Sequence, residues 1–422
     1  MDIVQQEADQ LYKQHFGKLV ASLLYASSDI DPESAEDIVQ DAFSAALIDW
    51  RLQGIPANRA GWLYKVCRNK ALNKIKKDKR LEPLTEKQDQ AMIEIRFSES
   101  AFDDQQLKLL FACAHPDLAP KTQVVITLKY VVNLKVEAIA KNLGMTIDGV
   151  DKLLLRARQK IRDEKILLEE PHPNALKQRL PIVHKIIYLT FNEGYKSSVG
   201  KDILKEDLCE EALLLNKALL DSSLSNKETA ALHALMLFNS ARFKSRISDS
   251  GELLDLENQD RSMWNQELIQ LAHDFFTRSQ CEMVSTYHLE AAIACLHCLA
   301  PSFEQTDWRT IVGLYARLLQ IYPNPFVEMN FAIAKYYAGD KQGAFKILNE
   351  LQGHTFLSQY YLLNMALGKF QQLEGNDQLA RQYLLKAQQQ TTLQKEKDFI
   401  EKMLDKIRDR NEERDFEIGN II

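Results

Sequence analysis

Apolar positions recur along this chain at three- and four-residue spacing, while strict alternation and β-branched runs are scarce, so the pattern predicts an all-α protein. In AEDIVQDAFSAALIDW (35–50), Val39, Phe43, Ala46 and Trp50 fall at i, i+4, i+7 and i+11 and predict an inward stripe. Asp37, Gln40, Asp41 and Ser44 then share a polar face. In GWLYKVCRNKALNKIKK (61–77) the inward positions are Leu63, Cys67, Ala71 and Ile75, and Lys65, Arg68, Asn69, Asn73 and Lys76 project away from them. A third stretch predicts a helix-turn-helix. Val136, Ile139, Ala140 and Leu143 form one apolar face, Gly144 supplies a short turn, and Thr146 can cap the next helix. In that second helix Val150, Leu154, Ala157 and Ile161 point inward, leaving Asp148, Asp151, Lys152, Leu155, Arg156 and Gln159 on the opposite face.

Breakers mark the joints between these elements. DIDPESAED (29–37) opens a helix with acids in its first turn, where the helix dipole favours them. QGIPANRAG (53–61) and AHPDLAPKTQ (114–123) read as connecting loops, KRLEPLTEKQDQ (79–90) as a polar linker, and EEPHPNAL (169–176) as the major boundary. The expected organisation is a first helical domain over 1–81, a linker over 82–103, a helix-turn-helix domain over 104–166 and a helical extension over 167–422. Near the end of the chain GDKQGAFKILNEL (339–351) and GNDQLARQYLLKA (375–387) superimpose at an offset of 36, with Gly339 on Gly375, Ala344 on Ala380 and Leu348 on Leu384. That is the build of a tetratricopeptide-type hairpin, so repeats are expected near 326–390, with a protein or peptide ligand on their concave face.

Composition changes this picture in two respects. With 45% hydrophobic residues the chain can bury large cores, yet no apolar run approaches the roughly 20 residues needed to cross a bilayer and no signal segment opens it. A cytoplasmic protein without a membrane partner is expected. Cys67, Cys113, Cys209, Cys281, Cys295 and Cys298 have no framework spacing and read as reduced thiols. The formal net charge of −6 conceals segregation: residues 1–50 carry a balance of −8, residues 59–80 carry +8, and residues 121–165 carry +5. Two basic islands in an acidic chain suit a protein that touches phosphate at two chosen places and protein elsewhere.

Each candidate has a plainer reading beside the functional one. The basic face of 61–77, beside Trp62 and Tyr64, could track phosphates and stack unpaired bases, or it could be a solvated face. In the helix-turn-helix, residues near the start of the second helix would meet bases, and Arg158, Lys160 and Arg162 would meet phosphates. In YLTFNEGYKSSVG (188–200), Tyr188 and Phe191 suit core packing with Gly194 at a helix C-cap, and the alternative is a contact surface. Cys281, His288, Cys295, His297 and Cys298 cluster in sequence, but the surrounding LEAAIACLHCLA reads as an apolar helix whose cysteines pack like alanines. No nucleophile, paired carboxylates or Gly-rich phosphate loop stands out, so no enzyme, no cofactor and no metal is expected.

The order DIVQDAF, RAGWLYKVCRNKALNKIKK, polar linker, then LKYVVNLKVEAIAKNLGMTIDGVDKLLLRARQKIR resembles the extracytoplasmic-function class of bacterial RNA polymerase sigma factors over about residues 5–165. LFACAHPDLAP, YLTFNEGY, ALMLFNSAR and YHLEAAIACLHC resemble the long subgroup of that class, which carries a C-terminal tetratricopeptide-like extension. The resemblance implies a non-enzymatic factor that binds RNA polymerase core and directs it to promoter DNA. It makes Asp37, Gln40, Asp41 and Ser44 the candidate contacts to the β′ clamp helices. It places Lys65, Arg68, Asn69, Asn73 and Lys76 at the minus-ten element, with the loop 51–60 as a pocket for a flipped base. It assigns Asp148, Asp151, Lys152, Arg156, Arg158 and Lys160 to the minus-thirty-five element. Members of the class usually carry basic residues where this chain has Asp151 and Leu153, so an altered promoter preference or weaker DNA reading is expected. The alternative is a tetratricopeptide-type scaffold whose sigma-like front no longer reads DNA. The extension is expected to regulate the factor.

Overall fold

Helices carry the described chain from end to end, as the three- and four-residue periodicity predicts. The computed structural model describes residues 2–26, 30–79, 102–164, 166, 168, 171–197, 204–248 and 252–419. The polar linker expected over 82–103 falls almost wholly outside them. Among the described residues there is no strand, only an isolated antiparallel bridge between Ile247 and Leu253. They fall into two compact units, one within residues 1–193 and 210–224 and the other within 194–209 and 225–422.

The first unit begins with α1 (Ile3–Ala26), α2 (Pro32–Gln53) and α3 (Arg59–Lys79), which pack on one another. Local chemistry sets α2: the Asp31 carboxylate accepts from the Ser34 amide at 3.0 Å, Pro32 takes the first position, and Gly54 closes the helix at φ 86°. Val39, Phe43, Ala46 and Trp50 are buried as the stripe predicts, against Leu63, Cys67, Ala71 and Ile75 of α3 and Phe16 and Leu19 of α1. Fully burying each large side chain contributes ~1.5–3 kcal/mol, so this apolar seam holds the three helices together. Next come α4 (Phe102–Cys113), α5 (Pro120–Tyr130), α6 (Val136–Leu143) and α7 (Ile147–Asp163). Gly144 ends α6 in the left-handed region at φ 60°, and the Thr146 hydroxyl accepts from the Gly149 amide at 3.1 Å to cap α7. Val150, Leu154, Ala157 and Ile161 are the buried face of α7, so the helix-turn-helix stands as read.

The long helix α8 (Pro173–Tyr195) corrects one expectation. Gly194 is not a C-cap but lies within the last turn of the helix. A Cβ there would stand 2.7 Å from the Cys209 sulfur and 2.9 Å from both the Cys209 amide nitrogen and the Lys205 carbonyl oxygen, and the Gly194 carbonyl accepts from the Lys205 amide at 2.8 Å. Close approach of another backbone, not helix termination, is what this glycine permits.

The chain continues through α9 (Glu206–Leu220), α10 (Lys227–Ser240), α11 (Gln266–Ser279), α12 (Thr286–Leu299) and α13 (Trp308–Ile321). Helix α10 is buried on nearly every side and packs against α11 and α12. Two hairpins follow: α14 (Pro325–Tyr337) with α15 (Lys341–Leu351), and α16 (Tyr361–Leu373) with α17 (Asp377–Gln390). Their starts repeat at the offset of 36 read from the sequence. Ala344, Leu348, Ala380 and Leu384 are all fully buried where each pair crosses. The last helix is α18 (Gln394–Gly419), whose Ile400 and Ile407 close the core of the second hairpin. Five of the six cysteines are buried, and Cys281 is exposed.

Candidate nucleic-acid interface

Helix α2 offers one continuous exposed stripe. Asp37, Gln40, Asp41 and Ser44 are all exposed, as expected, and the stripe runs on through Ile48 and Leu52, which are 60% and 79% exposed. Sequence reading missed these two apolar residues, although their spacing of four and eight from Ser44 was a usable signal. An acidic stripe ending in bare apolar side chains suits a protein partner, because charge orients the encounter and the apolar end supplies burial.

Helix α3 turns its basic residues to solvent. Lys65, Arg68, Asn69 and Asn73 are exposed, and the side chain of Lys76 lies outside the described residues. No ion pair engages Lys65 or Arg68 among the described residues, whereas Lys70 lies 3.4 Å from Asp41. The helix starts where the Asn58 side chain accepts from the Gly61 amide at 2.7 Å. Arg59, the first residue of α3, pairs with Glu7 of α1 at 3.3 Å, and Arg51, near the end of α2, pairs with Asp2 just before α1 at 2.8 Å. The aromatic residues correct an expectation. Tyr64 is 5% exposed and burial pushes its phenol well above the usual range, while Trp62 is half-buried with its ring 5.5 Å from that of Trp50. Tyr64 belongs to the core and offers no face to a base, whereas Trp62 remains partly exposed on α3.

Helix α7 is basic in sequence and partly neutralised in space. Asp148, Asp151, Lys152, Arg156 and Lys160 are exposed, but Lys152 bonds Asp148 at 2.7 Å and Lys160 approaches Glu164 at 3.7 Å. Arg158 is half-buried and turns back to bond Glu33, at the start of α2, at 2.7 Å. Its guanidinium also bonds the Tyr130 hydroxyl, whose pKa is pushed up to about 12 by burial against the opposing pull of Arg158. One turn along α2, Glu36 bonds Lys129 of α5 at 2.5 Å, with both side chains mostly buried.

The start of the acidic stripe is therefore held by bases of α5 and α7. Two further contacts fix the same arrangement. The Tyr12 side chain hydrogen-bonds Asn133, which sits in the left-handed region at φ 58°, and a Cβ on Gly17 would collide with the Val131 carbonyl oxygen. Glu33 and Glu36 shared a face with Asp37 and Gln40 in the sequence, but nothing there named their partners.

Behind the helix-turn-helix, the Asn142 amide donates to the buried Glu193 carboxylate at 2.8 Å. Phe191 is 1% exposed, so the FNEGY stretch serves both packing and contact. Of the sulfur and imidazole groups clustered in sequence, His288 spends its ring on the Ser279 carbonyl and on Ser285, capping α12, while His297 lies elsewhere beside Trp308.

Comparison with known proteins agrees with this geometry. Residues 11–81, spanning α2 and α3, match the model for sigma-70 region 2, and residues 108–161, spanning the helix-turn-helix, match that for sigma-70 region 4. Residues 179–280 match a family of unknown function, DUF6596. An uncharacterised protein of Rhizobium meliloti is 31% identical over 347 residues, covering 80% of this chain and 82% of its own length. No solved structure matches the chain. No helix among the described residues is long and apolar enough to cross a membrane.

Proposed function

Since the chain belongs to the sigma-70 family, as a factor for promoter-specific initiation whose partners are RNA polymerase and promoter DNA, we propose how its residues divide that work. Asp37, Gln40, Asp41 and Ser44, extended by Ile48 and Leu52, bind the β′ clamp helices of the polymerase. Lys65, Arg68, Asn69, Asn73 and Lys76 take the phosphates around the minus-ten element. Helix α7 enters the major groove of the minus-thirty-five element, with Asp148, Asp151 and Lys152 near its base-reading end and Arg156, Arg158 and Lys160 on phosphate. The division into 1–81, 82–103, 104–166 and 167–422 follows these roles. The observation that carries the reading is the exposed Lys65 and Arg68 of α3, with no ion pair among the described residues, beside the exposed polar and apolar stripe of α2.

Arg158 and Lys129 give the reading a further element. The free factor rests closed, with Arg158 of α7 on Glu33 and Lys129 of α5 on Glu36, and binding to polymerase and promoter exchanges these internal partners for external ones. The extension regulates that exchange. A concave face of the hairpin repeats receives a protein or peptide signal in this scheme.

Run-off transcription with purified polymerase core over a promoter library tests the whole proposal, with Asp151→Lys alongside. Polymerase-dependent initiation at one recurrent motif supports it. Absence of initiation from every template would leave the scaffold reading standing in its place. Removing residues 225–422 while keeping the whole first unit tests the regulatory part: unchanged promoter binding and polymerase affinity would sink it.

A further inference from the structure

A cavity of about 520 Å³ lies within the second unit, a size suited to a small molecule. Three cations line it. Arg246 is 8% exposed, its guanidinium stacks 3.8 Å from the Tyr195 ring centroid, and it donates to the Tyr195 carbonyl. Arg242 donates to the Tyr195 hydroxyl at 2.9 Å and to the Asn239 side chain at 2.8 Å, and its Nε is buried with no hydrogen-bond partner. Lys196 lies 5.2 Å from the Tyr361 ring centroid. Among the described residues none of the three forms an ion pair.

The acids of the lining do not cancel them. Asp255 is taken by Lys369 at 2.7 Å, and Glu396 accepts from the Tyr361 hydroxyl and the Thr391 hydroxyl. Glu396 and Glu290 are thus the remaining carboxylates of the lining, two against three cations. Burial of a cation without a bonded counter-charge is costly, and groups left so arranged in a cleft mark binding sites. Lys196 itself and the neighbouring His297 respond to this environment. Burial brings the Lys196 amine down to about 8, with Glu396 opposing and Arg246 reinforcing the shift. His297 is held down to about 3 by burial and by Arg242 and Arg261, so it stays neutral beside them. The lining also includes the apolar side chains of Leu235, Leu254, Ile293, Leu362, Met365 and Phe399.

We propose that this cavity binds a small organic anion, a carboxylate or phosphate monoester with an apolar body, its charged head on Arg242, Arg246 and Lys196. Arg246 forms the floor of the head site because its side chain is fixed by Tyr195 and its backbone by the Leu254 amide, which donates to the Arg246 carbonyl at 2.9 Å. Tyr195 orders both arginines through opposite ends of its own residue, the hydroxyl for one and the carbonyl for the other. Binding here stands or falls apart from the promoter activity proposed above.

The test is calorimetric titration of the full chain with phenyl phosphate, phenylacetate and the neutral phenylacetamide, repeated on Arg246→Gln and Lys196→Met. Saturable binding of either anion, with phenylacetamide silent and both variants at least tenfold weaker, is the expected result, and the stronger anion identifies the head group. Thermal melting of each unliganded variant establishes that it is folded; if Arg246→Gln is not, Lys196→Met alone decides. Failure of both anions to bind, or equal binding by wild type and the folded variants, overturns the proposal.

Discussion

Helices α3 and α7 carry the two basic islands of the chain, yet they hold their charge differently. On α3, Lys65 and Arg68 stand in solvent with no acid bonded to them among the described residues. On α7, Lys152 is bonded to Asp148 one turn away and Arg158 to Glu33 of α2. In the proposed reading Lys65 and Arg68 can take phosphate without giving up an internal partner, whereas Lys152 and Arg158 must first break their bonds to Asp148 and Glu33. Sequence charge alone, +8 and +5, would have ranked the islands as similar. Position of the counter-charges, and not the count of bases, separates these residues of the two islands.

The largest effect is expected where charge is unpaired. Reversing Lys65 and Arg68 together to Glu should lower promoter-dependent initiation on the order of 100-fold and flatten the salt dependence of promoter binding by about two units or more, read by run-off transcription and by salt titration. A change below about threefold would place the contact elsewhere. Gly17→Ala tests the reserve directly. Alanine favours helix α1 by about 1 kcal/mol, but its methyl meets the Val131 carbonyl, so the closed arrangement must yield. Affinity for polymerase core should rise about tenfold, equivalent to about 1.4 kcal/mol, and an unchanged affinity in a binding assay would mean closure costs the factor nothing.

Lys129→Met removes one clasp while leaving Glu36 in place. Polymerase affinity should rise about threefold to fivefold and stability to urea should fall by about 1 kcal/mol, a figure discounted for partial exposure of the pair. The smallest effect belongs to Asp151→Lys, which adds a base to α7 without touching the clasp. Salt dependence of promoter binding should steepen by about one unit with an affinity gain of a fewfold, measured on the same templates. If Asp151→Lys instead abolishes binding to the preferred motif, the aspartate reads a base, as an acceptor for a cytosine amino group would.

Much of this was legible in the sequence because it is local. The stripes of α2, α3 and α7, the Asp31 and Thr146 caps and the repeat of Gly339 on Gly375 are all set within a few turns, where periodicity and capping chemistry act. What was hidden depends on distant partners. Glu33 and Arg158 are separated by more than a hundred residues, and no rule of spacing joins them. Tyr64 was misread as a base platform because it sits one position from the inward Leu63; at 100° per residue, that places it at the edge of the stripe, where only the neighbouring helix decides burial. Gly194 was misread as a helix end because a glycine that admits another backbone and one that ends a helix look alike in sequence.

The burial of the cysteines has a practical and a physiological side. Burial pushes the thiols of Cys67 and Cys113 up to about 12 and that of Cys295 up to about 11, and raises Cys298 as well, so these four present almost no thiolate at neutral pH and little surface for a reagent to reach. Cys281 alone is exposed among the six. Toward peroxide or a maleimide the folded chain should behave as a one-thiol protein, with the reactive position on the short segment between α11 and α12. A fluorophore placed there reports on the second unit without an engineered cysteine, and a second thiol becoming reactive would be a direct signal that one of the cores has opened.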